Sequence, residues 1–333
     1  MLKLGNIELT NPVFLAPMSG VTDAAFRKLA AELGAGMVVS EMIASESLVK
    51  SQKDELRKAK DFEAPGVKVI QLAGREAKWM AQGAKMARDL GADIIDINMG
   101  CPAKQVTNGA SGAALMRDLD HALRLIEATV GAVDVPVTLK MRLGWDETSL
   151  NAPELAKRAE NAGVQMITVH GRTRAQFYKA HANWAAIGEV KRAVDIPVIA
   201  NGDLTEISHA HEMLKISGAD GVMIGRGAYG APWFPGQVAA SVNKEPYKEI
   251  EPDQQGEIAR RHYQDMLHVY GSALGVRCAR KHLAWYVEKA LGVAPQDAQA
   301  RMWRGKMCTL DDPIQVLDQL NMFYDVVGER RAS

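Results

Sequence analysis

Short apolar runs alternate with helix-length amphipathic stretches over about the first 240 residues. The runs occupy residues 13–16, 37–40, 67–71, 94–97, 137–140, 166–170, 198–200 and 221–224. Each is rich in β-branched residues and too short for a helix, so the pattern predicts eight strands. Helices are predicted between them at 24–33, 77–90, 119–130, 153–162 and 206–215. Three of these stop on a glycine just before the next strand, at Gly34, Gly91 and Gly163. Alternation of this kind implies a parallel sheet with crossover helices. Eight units in such a length fit a closed (β/α)8 TIM barrel better than an open doubly wound sheet. Strand order would separate the two, and a pattern does not carry it.

The pattern changes after residue 240. Residues 242–246 read as a linker, and from Pro252 onward only helical periodicity appears, at 253–270, 273–290, 296–307 and 313–327. Gly271, Gly292, Pro295 and Pro313 punctuate these segments. The expected organisation is a barrel domain over 1–242 and a helical-bundle domain over 243–333.

Composition narrows the class. No run approaches the roughly 18–20 apolar residues of a membrane span, and the N-terminus lacks the apolar core of a signal peptide. A cytoplasmic protein with no membrane association is expected. The three cysteines contain no CxxC pair, which argues against a disulfide framework and a zinc or other metal site. An iron–sulfur cluster, which takes about four thiolates, is disfavoured too. Forty basic and forty acidic residues cancel, so net charge gives no support to a nucleic-acid partner. Nothing in the chain points to an obligate protein partner.

Candidate chemistry gathers where a TIM barrel keeps its active site, at the C-terminal ends of the strands. Strand one ends in Pro17-Met18-Ser19, strand three in Gln71, and strand four in Asn98-Met99-Gly100-Cys101-Pro102. Strand five ends in Lys140-Met141-Arg142, strand six in His170-Gly171-Arg172-Thr173-Arg174, strand seven in Asn201-Gly202-Asp203 and strand eight in Gly225-Arg226-Gly227. Residues 225–230 match G-x-G-x-x-G, yet no further strand or ribose-binding acid follows as a Rossmann unit requires. In a barrel the loops after strands seven and eight commonly bind a phosphate, so a phosphate-bearing cofactor is expected there. Lys140 and His170 suit the polar edge of a flavin ring and the charge it gains on reduction. Cys101 follows a strand end, in a loop with Lys104 and glycines, a setting for a thiol that exchanges protons. No partner has cysteine-protease spacing, so acid chemistry is favoured over nucleophilic attack. Cys278 and Cys308 fall in helical patterns and read as packing residues.

These motifs resemble the tRNA-dihydrouridine synthases, nearest their bacterial B-type class. The matching stretches are residues 16–23, 96–104, 140–144, 170–174, 201–203 and 225–228, with Arg280-Lys281-His282 and Trp285-Tyr286 in the helical part. The likeness covers nearly the whole chain, and Asn98-Met99-Gly100-Cys101-Pro102 is its most specific element. The resemblance implies FMN across the barrel mouth, contacted by Pro17, Met18, Ser19, Gln71, Lys140 and His170. Its phosphate would lie near Asn201, Gly202, Asp203, Gly225 and Arg226. It also implies reduction by NADPH, hydride transfer from flavin N5 to uracil C6, a proton from Cys101 to C5, and Asn98 holding the uracil. Because a uracil inside folded tRNA is out of reach, the base would have to be turned out into the pocket.

RNA contacts would come from Lys104, Arg142, Arg172 and Arg174 near the mouth and from Arg277, Arg280, Lys281 and His282 in the bundle. Lys289, Arg301, Arg304 and Lys306 extend the basic cluster, with Trp285, Tyr286 and Trp303 interleaved. A solvated helix face over core aromatics reads the same way, and Arg172 and Arg174 could equally pair with acids. A rival reading is a flavin TIM-barrel oxidoreductase for a small molecule, similar to dihydroorotate or dihydropyrimidine dehydrogenases. It accounts for the phosphate loops and the cysteine and leaves the helical tail without a role. A non-catalytic RNA-binding barrel is the third.

Overall fold

The computed structural model describes residues 2–60 and 64–332. Eight staves run parallel: β1 (Val13–Leu15), β2 (Met37–Val38), β3 (Val69–Ala73), β4 (Ile94–Met99), β5 (Val137–Arg142), β6 (Met166–His170), β7 (Val198–Asn201) and β8 (Gly221–Ile224). Their order is β2-β1-β8-β7-β6-β5-β4-β3. The circle closes where Val39 bridges Val69 and the short strand Ile43–Ala44 continues the second stave along β3, with Ile43 opposite Leu72. The barrel, rather than the open sheet, is therefore the fold. The predicted second strand at 37–40 is interrupted, resuming as Ile43–Ala44.

Side-chain alternation along the staves explains both cores. Ile95, Ile97 and Met99 of β4, Val137, Leu139 and Met141 of β5, and Ile167 and Val169 of β6 point outward into the large cluster beneath the helices. Phe14, Val69, Ile94, Met166, Ile199 and Met223 form a second cluster inside the barrel. An antiparallel hairpin, Lys3–Leu4 with Ile7–Glu8, leads into β1 and contributes Leu4 and Leu9 to that inner cluster.

The crossover helices begin at side-chain caps. Asp23, Asp118 and Asn183 accept hydrogen bonds from Phe26, His121 and Ala186 N–H, opening Ala24–Glu32, Leu119–Val130 and Trp184–Ala193. The stop glycines Gly34, Gly91 and Gly163 have positive φ, as expected of helix ends. Besides the short helices Ser45–Val49 and Lys104–Thr107, three longer ones before the linker are not among those predicted: Lys53–Lys60, Trp184–Ala193 and Phe234–Val242. The second of these buries only Ile187, Gly188 and Val190, too thin an apolar stripe to read as a helical face. Val242, the first residue of the predicted linker, ends the third.

Beyond it come four helices, Pro252–Tyr270, Ser272–Leu291, Ala298–Cys308 and Pro313–Ala332. The first of them packs on the barrel helix Ala24–Glu32, where Arg261 pairs with Glu32 and Lys28 lies 3.9 Å from Asp265. Tyr270 donates its hydroxyl to Asp23, the buried cap of that barrel helix, at 3.0 Å. None of the described helices is long and apolar enough to cross a membrane.

Two glycines separate packing from propensity. A Cβ on Gly236 would collide with the Leu33 carbonyl oxygen, whereas one on Gly305, inside Ala298–Cys308, meets nothing within 4 Å. Gly236→Ala should cost about 1–3 kcal/mol through overpacking, and Gly305→Ala should gain about 0.5–1 kcal/mol of helix stability. Urea-unfolding midpoints of the two variants check both signs.

Candidate active site

The inward-facing residues change character toward the C-terminal end of the staves. On β4 the inward series runs Ile94, Asp96, Asn98, on β5 Thr138, Lys140, Arg142, and on β6 Met166, Thr168, His170. Register sets them side by side, with Gln71 opposite Asp96, Asp96 opposite Thr138, Asn98 opposite Lys140, and His170 between Arg142 and Asn201. Above them opens a cavity of about 640 Å³. Pro17, Met18, Ser19, Gln71, Lys140, His170, Asn201, Gly202, Asp203, Gly225 and Arg226 all line it, as do Asn98, Arg142 and Cys101.

A hydrogen-bonded chain fixes the cysteine loop. Buried Asp96 accepts from Thr138 Oγ1 and Gln71 Nε2, both at 2.6 Å. Gln71 Oε1 accepts from Asn98 Nδ2 at 2.7 Å, and Asn98 Oδ1 accepts from the N–H groups of Gly100 (3.2 Å) and Cys101 (3.0 Å). The chain fixes the amide orientations of Gln71 and Asn98, because each oxygen must face a donor. Burial raises the Asp96 carboxyl above its usual range, against the lowering effect of those two hydrogen bonds. Gly112, with φ +60°, lies under the loop: a Cβ there would come within 2.8 Å of the Cys101 carbonyl oxygen.

The cations are held with equal care. Arg142 donates to the carbonyl oxygens of Gly100 (2.8 Å), Thr173 (2.9 Å) and Phe177 (2.8 Å). Burial lowers its guanidinium to about 10. Lys140 Nζ donates to Asn201 Oδ1 at 3.2 Å, and burial, reinforced by Arg142, lowers its ammonium to about 8. Burial also pushes His170 well below the usual imidazole range, and Arg142, Lys140, Arg172 and Arg226 push it the same way. Its imidazole is neutral at neutral pH. Arg172 Nη1 lies 3.2 Å from His170 Nε2, and a guanidinium only donates, so the ring proton is on Nδ1.

Asp203 organises the far corner. Its carboxylate accepts from Arg172 (2.6 Å), Arg226 (3.2 Å) and the Ala182 N–H (2.8 Å). Burial raises its pKa, but the hydrogen bonds and charge of Arg172 outweigh that, and the net shift is downward. The carboxylate thereby fixes the directions of both arginines at this corner. Gly202 has φ +122°, and a Cβ there would lie 2.7 Å from Ala182 Cβ and 3.0 Å from His170 Cδ2.

The remaining predicted contacts do not converge. Lys104 is exposed at the start of the short helix Lys104–Thr107, outside the cavity lining. Arg172 is buried behind the wall. Arg174 lies 4.7 Å over the Trp145 ring and donates to Thr107 Oγ1 at 3.3 Å. In the bundle, Arg277 is exposed and bonds the Ala273 carbonyl, and Arg280 pairs with Asp311 at 2.7 Å. Lys281 Nζ donates to Cys278 O at 3.2 Å, and a Cβ on Gly20 would lie 3.9 Å from it. His282 departs from expectation. It is 1% exposed, packed against Phe26, His262 and Trp285, and so belongs to the core rather than to an RNA-facing surface. Asp96 and Thr138 are not among the predicted site residues, although two-residue alternation behind the strand tips marks them. Phe177, Tyr178 and Tyr229 also stand in the cavity wall, and no local sequence pattern points to them.

Comparison with known proteins places this geometry in context. The family described as Dihydrouridine synthase (Dus) matches residues 14–324. A probable tRNA-dihydrouridine synthase from Rhizobium leguminosarum bv. phaseoli is 54% identical over 94% of this chain and 95% of its own. One from Rhodobacter capsulatus is 52% identical over 100% and 99%. The tRNA-dihydrouridine synthase B of Pseudomonas putida is 42% identical over 100% and 96%. Among solved structures, a morphinone reductase in complex with tetrahydroNAD shares the fold at 14% identity. Its TM-score is 0.52, over 76% of this chain and 92% of that one. The chain spans about half (49%) of the 6-hydroxypseudooxynicotine amine oxidase of Pseudomonas geniculata, at 14% identity and TM-score 0.56. With a family match that takes in both the barrel and the helical bundle, the chain belongs to the dihydrouridine synthase family.

Proposed function

We propose that this protein reduces uridine to 5,6-dihydrouridine in tRNA, with FMN as its flavin and NADPH as the reductant. The observation that carries the reading is the tethering of Cys101, through Asn98, to the lip of a cavity that also holds Lys140 and His170. The cavity falls within the usual range for a small ligand, about 300–1,000 Å³. Pro17 and Met18 offer an apolar wall, Gln71 and Lys140 offer polar groups at the floor, and Arg226 offers a cation at the corner expected for phosphate. These residues fit FMN. Bound flavin would supply the hydride that the uracil ring takes up.

The chain itself supplies orientation and a proton. Asn98 has its oxygen committed to the Cys101 loop, so it positions the thiol as well as bordering the base site. Cys101 donates its proton to C5, and the thiolate left behind lies within electrostatic reach of Lys140 and Arg142. Neutral His170 and cationic Lys140 stand on adjacent staves, where a hydrogen-bond donor and a positive charge can meet the polar edge of the flavin. On this reading residues 1–242 hold the flavin and residues 243–333 hold the RNA. The span of the family match favours it over a flavoenzyme acting on a free pyrimidine, which leaves the bundle without a role.

Incubating the purified protein with FMN, NADPH and tRNA lacking dihydrouridine, then mapping the modified base, tests the activity directly; no dihydrouridine under single turnover refutes it. Cys101→Ala is expected to keep its flavin and its NADPH oxidation while losing at least about 100-fold in base reduction, the low end for a lost general acid. Dihydrouridine formed at the wild-type rate would remove Cys101 from that role. The lowered Lys140 gives a pH signature. In the flavin-free protein its ammonium is charged below about 8 and neutral above, so FMN affinity should fall as pH rises through that value. Fluorescence titrations at several pH values should show the fall in the wild type and a flattened profile in Lys140→Met. Linkage has the opposite sign. Between about 8 and the ordinary 10.5 the unfolded lysine binds more protons than the folded one, so this group makes stability rise with pH across that window.

A further inference from the structure

Among the described residues, the ring pairs meet edge-on or at a tilt with one exception. Tyr229, in the loop after β8, and Trp285, on the bundle helix Ser272–Leu291, stack with centroids 3.9 Å apart and planes within 12°. Tyr229 also lines the cavity, so one side of its ring is taken by the bundle while the residue borders the site.

The junction around this pair is built without slack. Gly230 has φ +64°, and a Cβ there would collide with the Trp285 carbonyl oxygen, so the barrel loop runs directly against the bundle backbone. His282, one turn before Trp285, meets the indole edge-on at 5.3 Å and is itself set against His262 at 4.7 Å. The half-buried indole is thus braced at its edge by a buried ring. A folded core did not need this arrangement to extend as far as the cavity wall.

Two cations flank the stack. Arg226, 49% exposed, lies three residues before Tyr229 and 5.3 Å over the ring of Tyr178, another member of the wall. Lys281 is one helical turn before Trp285 and shares its face, with Nζ close to Gly20 in the loop after β1. An aromatic ring held flat beside cations is the arrangement that receives nucleobases and the phosphates between them.

We propose that Trp285 is a positioning residue that holds Tyr229 as a stacking platform for an unpaired base of the RNA, next to the uridine turned into the cavity. The proposal rests on tRNA being the substrate. It assigns the helical bundle a second task besides grip: completing the rim of the active site. Extruding one base leaves its neighbour without a stacking partner, and a ring fixed at the rim restores one.

The test uses the full-length, flavin-loaded protein and tRNA carrying 2-aminopurine beside the uridine mapped as reduced. Stacking quenches that base, so its fluorescence should drop on binding to the wild type and much less with Tyr229→Leu or Trp285→Leu. The same two variants should lose about ten-fold or more in kcat/KM for tRNA, mainly in KM, in line with stacking measured by removal of an aromatic. Tyr229→Phe and Trp285→Phe, which keep a flat ring, should restore both readouts to within a few-fold. Absence of quenching in the wild type at both flanking positions overturns the proposal, even if the leucine variants prove too unstable to assay. So does a folded Tyr229→Leu protein with wild-type KM and wild-type quenching. A wild-type protein that forms no dihydrouridine in any tRNA would instead overturn the proposed activity, a result separable from the other two.

Discussion

The register of eight parallel staves is the constraint from which the site follows. In a parallel strand every second side chain faces inward, and the neighbour's pairing decides which inward side chains stand level. Here that places Gln71, Asp96 and Thr138 in one tier and Asn98 beside Lys140 in the next. A slip of one residue on β4 would turn Asp96 and Asn98 out among the helices and bring Ile95 and Ile97 into the barrel. Such a slip would bury a carboxylate without partners and expose the core face of the strand. The cost of both errors makes the polar tiers a property of the fold rather than of any loop.

Charge inside the barrel is managed by enclosure and division. Lys140, Arg142, Arg172 and Arg226 crowd a space holding two nearby carboxylates, Asp96 and Asp203. Arg142 is satisfied almost wholly by backbone carbonyls, Arg172 and Arg226 share Asp203, and Lys140 keeps a single side-chain amide partner. Burial lowers the proton affinity of both His170 and Lys140, and the neighbouring cations, Arg142 foremost, push the same way. Such a surplus of buried positive charge costs stability in the empty protein and is offset when an anion enters.

Much of this was legible beforehand. Eight strands, the change to helices after about residue 240 and seven of the strand tips follow from short apolar runs ending in polar residues, whereas Met42 on the second stave, which also lines the cavity, carries no such signal. Trp184–Ala193 was not legible, because its buried face is only Ile187, Gly188 and Val190, too narrow to show as a helical stripe, and its start is fixed by the Asn183 cap. His282 misled for the opposite reason. In a string beside Arg280 and Lys281 it reads as one more basic residue, yet the helix turns it about 100° from each neighbour, into the barrel-facing core. Tyr178 and Tyr229 come from segments with no periodicity, so only the folded loops show that they share a wall. The Asp96–Gln71–Asn98 chain spans two staves about 25 residues apart, a distance that motifs do not bridge.

The N-terminal hairpin carries a final implication. By sinking Leu4 and Leu9 into the inner cluster with Phe14 and Ile94, it stoppers the end of the barrel away from the polar tips. The cavity is then reached from the strand tips, so in the proposed reaction the reductant and the base would share one doorway.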